Sequence, residues 1–112
     1  MKIVFICAPY TAASEGKIHD NIARASAVAR KLAEQEIGFV CPHTNSAYMH
    51  DITEASPDFW YKMYLAILDG CDAVLTVGRW QNSAGCLAEI ARAERLKLPI
   101  FHSIKEVVEW HR

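Results

Sequence analysis

Four short apolar runs, each handing over to a helical pattern, constrain this chain more than any other feature. "IVFICA" (3–8) is a continuous run rich in β-branched residues that stops at Pro9. Such a run reads as a strand buried on both faces. "FVCP" (39–42), "AVLTV" (73–77) and "PIFH" (99–102) repeat the type. Helical spacing fills the intervals. Residues 20–35 put Ile22, Ala25, Val28, Ala29 and Leu32 on one face, with Gly38 following their end. Residues 57–70 open behind Ser56 with Pro57 and close at Gly70. Residues 83–98 form a third helix and 104–111 a fourth. The polar run 43–58 has the length at which a connection is usually functional.

The order βαβαβαβα predicts an α/β fold of three layers, with right-handed crossovers and helices on both faces of a parallel sheet. A flavodoxin-like, Rossmann-like domain spanning residues 1–112 follows, its four strands in the order 2-1-3-4. The first loop, "CAPYTAASEGK", carries neither the dinucleotide G-x-G-x-x-G nor the P-loop G-x-x-x-x-G-K. That argues against dinucleotide and triphosphate chemistry.

A hydrophobic fraction of 52% argues against disorder. A net charge of −1, with no basic stripe, argues against binding to a nucleic-acid polymer. Cys7, Cys41, Cys71 and Cys86 form no C-x-x-C pair and no zinc spacing. Cys7, Cys41 and Cys71 adjoin strand-like runs and read as small buried hydrophobes, and a reducing, cytoplasmic compartment is expected. The apolar run near the start is too short for a signal-peptide core. No segment has the roughly 18 apolar residues of a membrane span.

Three segments end at the carboxyl edge of the sheet: "APYTAASEG", "PHTNSAYMHD" and "GRWQNSAG". Ligands of open α/β sheets bind along that edge. Helices run back against the strands, so only their first turns face it. This sorts the carboxylates: Asp69 and Asp72 belong to the far edge, whereas Asp51, Asp58 and Glu89 lie near the crevice. Ser83 reads as an N-cap for the amides of Gly85 or Cys86. The same helix end could instead bind an anion, since amides and dipole both favour negative charge there. Glu89 reads either as a solvated partner of Arg92 at i+3 or as a functional carboxyl. If an anion and Glu89 both serve the site, they must take opposite ends of one ligand. Tyr10, Tyr48, Trp60 and Trp80 could sandwich a flat base, against the commoner role of core aromatics. His43 could donate a hydrogen bond into the crevice. His43, His50 and Asp51 match no metal motif, and neither a metal nor a cofactor is expected.

Taken together, "FICAPYT", "CPH", "CDAVLTVGRW" and "NSAGCLAEIARA" resemble the nucleoside 2-deoxyribosyltransferase-like superfamily, in particular its small bacterial and phage members. The likeness runs from residue 2 to about residue 101. It implies N-glycosidic chemistry on a small nucleoside or nucleotide, in a homo-oligomer. The family nucleophile would be Glu89, attacking C1′ to form a glycosyl-enzyme in the manner of retaining glycosidases. The position six residues earlier is Asp in relatives that exchange bases on free nucleosides. In relatives that hydrolyse monophosphates it is Ser, and here it is Ser83. Ala8, Pro9, Tyr10, His43, Trp80, Asn82, Ser83 and Gly85 would then line the substrate site, with Trp80 closing the base pocket. Two positions depart from the pattern. Phe5 stands where relatives often carry Tyr, which Tyr10 could replace, and Tyr64 stands where they carry Asp. Asp58 is the nearest carboxylate that could compensate, so Glu89, Asp58 and Tyr64 are the catalytic candidates. Three functions stay open: a monophosphate N-glycosidase or base-exchanging transferase, a non-catalytic nucleotide-binding module, and a subunit with a vestigial crevice.

Overall fold

The structure is a computed structural model that describes every residue except Thr11 and Ala13, both in the first loop. Strands β1 (Ile3–Cys7), β2 (Gly38–Val40), β3 (Ala73–Thr76) and β4 (Ile100–Phe101) form one parallel sheet in the order β2-β1-β3-β4. The expected topology holds. The described residues also form the α-helices α1 (Glu15–Glu34), α2 (Pro42–Asn45), α3 (Met49–Ile52), α4 (Pro57–Leu68), α5 (Ala84–Arg95) and α6 (Ile104–His111).

Alternation along β1 sends residues to two cores. Val4, Ile6 and Ala8 meet Ala25, Leu32 and Val107 of α1 and α6 on one face. Phe5 and Cys7 meet Trp60, Tyr64, Leu68 and Ile90 of α4 and α5 on the other. Phe5, Leu32, Leu75 and Val107 are essentially sealed from water. Full burial of side chains of this size contributes about 1.5–3 kcal/mol each.

Two expectations change. Helix α1 begins at Glu15 rather than residue 20, because Ser14 caps it by accepting the Lys17 amide at 3.3 Å. The polar "SEGKIHD" hides that start, since no apolar periodicity reaches back into it. The 43–58 stretch, read as irregular, contains most of α2 and all of α3. Each is a single turn, too short to leave a periodic trace. At the far edge, Asp72 Oδ2 accepts the Ile3 amide at 2.7 Å, fixing the entry of β1 as the carboxylate sorting requires.

Candidate functional site

Past the carboxyl ends of β1 and β3 lies a cavity of about 380 Å³. Its floor is the first two turns of α5. Ser83 caps this helix by accepting the Cys86 amide at 3.2 Å, and its side chain also helps lower the Cys86 thiol pKa. Cys86 and Glu89, one turn apart on α5, both face the cavity. The pairing of Glu89 with Arg92 does not occur. Arg92 reaches instead to Asp69 at the end of α4, with contacts of 2.7 and 2.6 Å. Burial pushes the Glu89 carboxyl up to about 8; the nearby Cys86 sulfur adds to the rise, and a hydrogen bond with Cys7 holds part of it back. At neutral pH most of this carboxyl carries its proton.

Behind Glu89, the Cys7 thiol lies 3.8 Å from the Cys86 carbonyl. A separate hydrogen bond between the two thiols raises the Cys7 pKa, with burial second, and lowers that of the Cys86 thiol. The two sulfurs and a Glu89 oxygen lie within 4.8 Å of one another, the one donor group among the described residues dense enough to hold a metal ion. His43, His50 and Asp51 form no such group. All four cysteines are buried and free.

The cavity wall comes from α2 and α4. Nε2 of His43 lies 2.7 Å from the Pro9 carbonyl, which can only accept, so Nε2 carries the proton. Nδ1 is then a lone-pair acceptor, and it has no partner among the described residues. Burial depresses the pKa of this imidazole, offset in part by the Pro9 bond. His43 therefore offers an acceptor to the site rather than the donor expected. The Tyr64 ring lines the cavity, yet its hydroxyl is committed elsewhere. It donates to the Pro42 carbonyl at 3.1 Å, accepts from Asn45 Nδ2 at 3.2 Å and lies 2.5 Å from Ser46 Oγ. It clamps α2 onto α4 and is not free to handle a substrate proton.

Two site candidates fall outside. Asp58 turns to solvent and pairs with Lys62 at 2.9 Å, both side chains mostly exposed. Asp58 is the second residue of α4, in its exposed first turn. Trp80 lies in a 3₁₀ turn (Trp80–Asn82) that swings its ring across the end of β4, where it stacks on His102 at 5.7 Å. Trp60, on the inner face of α4, takes the wall position instead. Its indole N–H is buried and has no acceptor among the described residues. Ala8 and Tyr10 line the cavity as expected.

Ser83 and Gly85 also border a second, open groove of about 950 Å³. Pro9 and Asn82 lie in it, with Asn21, Arg24 and Arg79. The lining has two guanidinium groups and no carboxylate, and neither arginine is ion-paired among the described residues. Gly78 makes the turn out of β3 at φ +64°. A Cβ there would touch the Arg24 guanidinium at 3.4 Å, and the positive φ is what favours glycine. A Cβ on Gly85 would meet only Ser83 Oγ, at 3.8 Å, so that glycine relieves no clash within the fold and keeps the floor between groove and cavity open. Sequence reasoning missed Arg24 and Arg79. The available signal was Arg79 directly after a strand-ending glycine; Arg24 gives none, because the side of α1 that meets the Gly78 turn is set by tertiary packing.

A family profile described as "Domain of unknown function (DUF7768)" matches residues 2–103. No curated protein matches the chain.

Proposed function

The chain belongs to the DUF7768 family, and from its site we propose that it hydrolyses the N-glycosidic bond of a nucleoside 5′-monophosphate. One observation carries this reading. A half-buried carboxyl with no cation partner among the described residues and a carboxylate-free arginine groove meet across Ser83 and Gly85. That is the charge layout of a ligand with an anion at one end and a neutral reacting carbon at the other. Arg24, Arg79 and the Ser83 hydroxyl would hold the phosphate, helped by the positive end of α5. Because Glu89 is mostly protonated at neutral pH, it repels a nearby phosphate little.

In the reaction, an ionised Glu89 oxygen bonds to C1′ as the C1′–N bond breaks, and the base leaves with the electron pair, taking a proton from water. A second water then cleaves the sugar ester and regenerates the carboxyl group. The reactive form is the ionised one, so turnover rises with pH towards about 8. Exposed apolar side chains at Ile52, Phe59 and Leu87 fit the further proposal of a homo-oligomer. The four free thiols fit a reducing compartment. Among the described residues, no helix is long and apolar enough to cross a membrane.

A second reading, a module that binds the nucleotide without cleaving it, is favoured by the committed Tyr64 hydroxyl and the outward Asp58. Together they leave no carboxylic acid besides Glu89 on the cavity wall to protonate a leaving base. General acid help is typically worth about 10²–10⁴-fold. Chromatography for free base after incubation with ribo- and deoxyribonucleoside 5′-monophosphates separates the two. Base from monophosphates, not from nucleosides, and lost in Glu89→Ala supports hydrolysis. Binding without base release supports the module.

A further inference from the structure

The three rings of Tyr10, His50 and Trp60 form a continuous stack. His50 lies between the others, 5.1 Å from Tyr10 at 21° and 4.7 Å from Trp60 at 15°. This is an unusual place for it. His50 is an exposed residue on α3, a four-residue helix that buries none of its side chains. Its ring nevertheless fills the gap between two aromatic walls of the cavity. The chain enters α3 through Tyr48 at φ +63°, a left-handed conformation that a bulky residue seldom adopts. That bend is held by the Tyr48 amide donating to the Tyr10 hydroxyl at 3.0 Å. Tyr10 is thus both a wall of the gap and the latch of the turn that delivers His50 into it. On the opposite wall, the Trp60 indole N–H has no partner among the described residues.

We propose that the gap between Tyr10 and Trp60 is a subsite for a flat heterocyclic ring, occupied in the free protein by the His50 imidazole, which the incoming ring displaces. It rests on the nucleotide reading above only for the identity of the ring. A heterocycle entering the gap recovers both stacking contacts that the imidazole gives up. A ring with an N–H on its edge can also donate to His43 Nδ1, a cavity-lining acceptor without a partner among the described residues. The shallow seating of α3 lets His50 leave without opening the core.

Displacement and wall contact predict opposite signs. Adenosine 5′-monophosphate and uridine 5′-monophosphate are titrated into the native protein and into His50→Ala, with inorganic phosphate as the ring-free control. Removing a competing stacked ring tightens nucleotide binding by about 2- to 10-fold and leaves phosphate binding unchanged. In the native protein, the His50 ring protons, shifted upfield by the two rings, move back towards free-imidazole positions on adding nucleotide but not phosphate. Tyr10→Ala, which removes a wall, weakens nucleotide binding. Weaker nucleotide binding by His50→Ala, His50 protons unmoved by bound nucleotide, or no nucleotide binding to either protein overturns the subsite. Displacement of His50 without release of base leaves the subsite standing and removes the hydrolytic reading.

Discussion

Arg92 grips Asp69 with two hydrogen bonds, Nε to Oδ1 at 2.7 Å and Nη2 to Oδ2 at 2.6 Å, and so leaves Glu89 without a cation. The two residues are a helical turn apart on α5, and a surface helix would pair them. Here the C-terminal end of α4 supplies a better-placed carboxylate, and Glu89 is left in a partly buried, apolar setting that favours its proton.

The stability of the protein therefore carries a signature of Glu89. Unfolded, this carboxyl ionises near its ordinary value of 4.5; folded, it holds its proton up to about 8. The unfolded chain loses that proton first. Folding is thus favoured fully below about 4.5, and stability falls as pH rises to about 8. Glu89→Gln removes this slope. Thermal melts from pH 4 to pH 9 should show the variant gaining on the native protein across that window, by about 1.4 kcal/mol for each pKa unit. Parallel curves would mean that Glu89 is an ordinary exposed carboxylate.

Ser83 has two duties that one pair of substitutions separates. Ser83→Ala removes the cap and costs about 1 kcal/mol. Ser83→Asp restores the cap, since Asp serves that position as well as Ser, but sets a negative charge beside the arginine groove. The Asp variant should melt like the native protein and lose its preference for monophosphates over nucleosides. If it binds monophosphates as well as the native protein does, Ser83 is a cap and nothing more.

Arg24 and Arg79 should each contribute about 10- to 100-fold to monophosphate affinity, the range of hydrogen bonds to charged groups. Arg24→Ala and Arg79→Ala are read by calorimetry against a monophosphate and the matching nucleoside. Only the monophosphate should weaken, and its affinity should fall with added salt. Equal losses for both ligands would place the phosphate elsewhere.

Tyr64→Phe tests the clamp. The hydroxyl bridges Pro42, Asn45 and Ser46, while Ser46 Oγ keeps its own bond to the Pro42 carbonyl at 3.3 Å when the hydroxyl is removed. A cost of about 0.5–1.5 kcal/mol follows from the lost hydrogen bonds, read by denaturant unfolding. A variant as stable as the native protein would show that the network contributes little.

The sheet was legible because its strands are short apolar runs between helical spacings, and that order admits few parallel topologies. The Ser83 cap and the far-edge position of Asp72 were legible too, since each follows from where a helix or strand begins. Side-chain direction was not. Trp80 and Trp60 are equally plausible base-pocket walls in the sequence. A 3₁₀ turn sends Trp80 to His102, while the inner face of α4 brings Trp60 to the cavity. Asp58 is sequence-adjacent to the site but lies on the outer face of its helix. Arg24 reaches the groove only because the turn at Gly78 packs under it.

Covalent attack by Glu89 is tested by quenching the protein with acid during turnover of a nucleoside 5′-monophosphate and weighing it both intact and after digestion. A sugar-phosphate adduct should sit on the peptide containing Glu89 and be absent in Glu89→Gln. Free base without any adduct, released equally by Glu89→Gln, would rule covalent attack out.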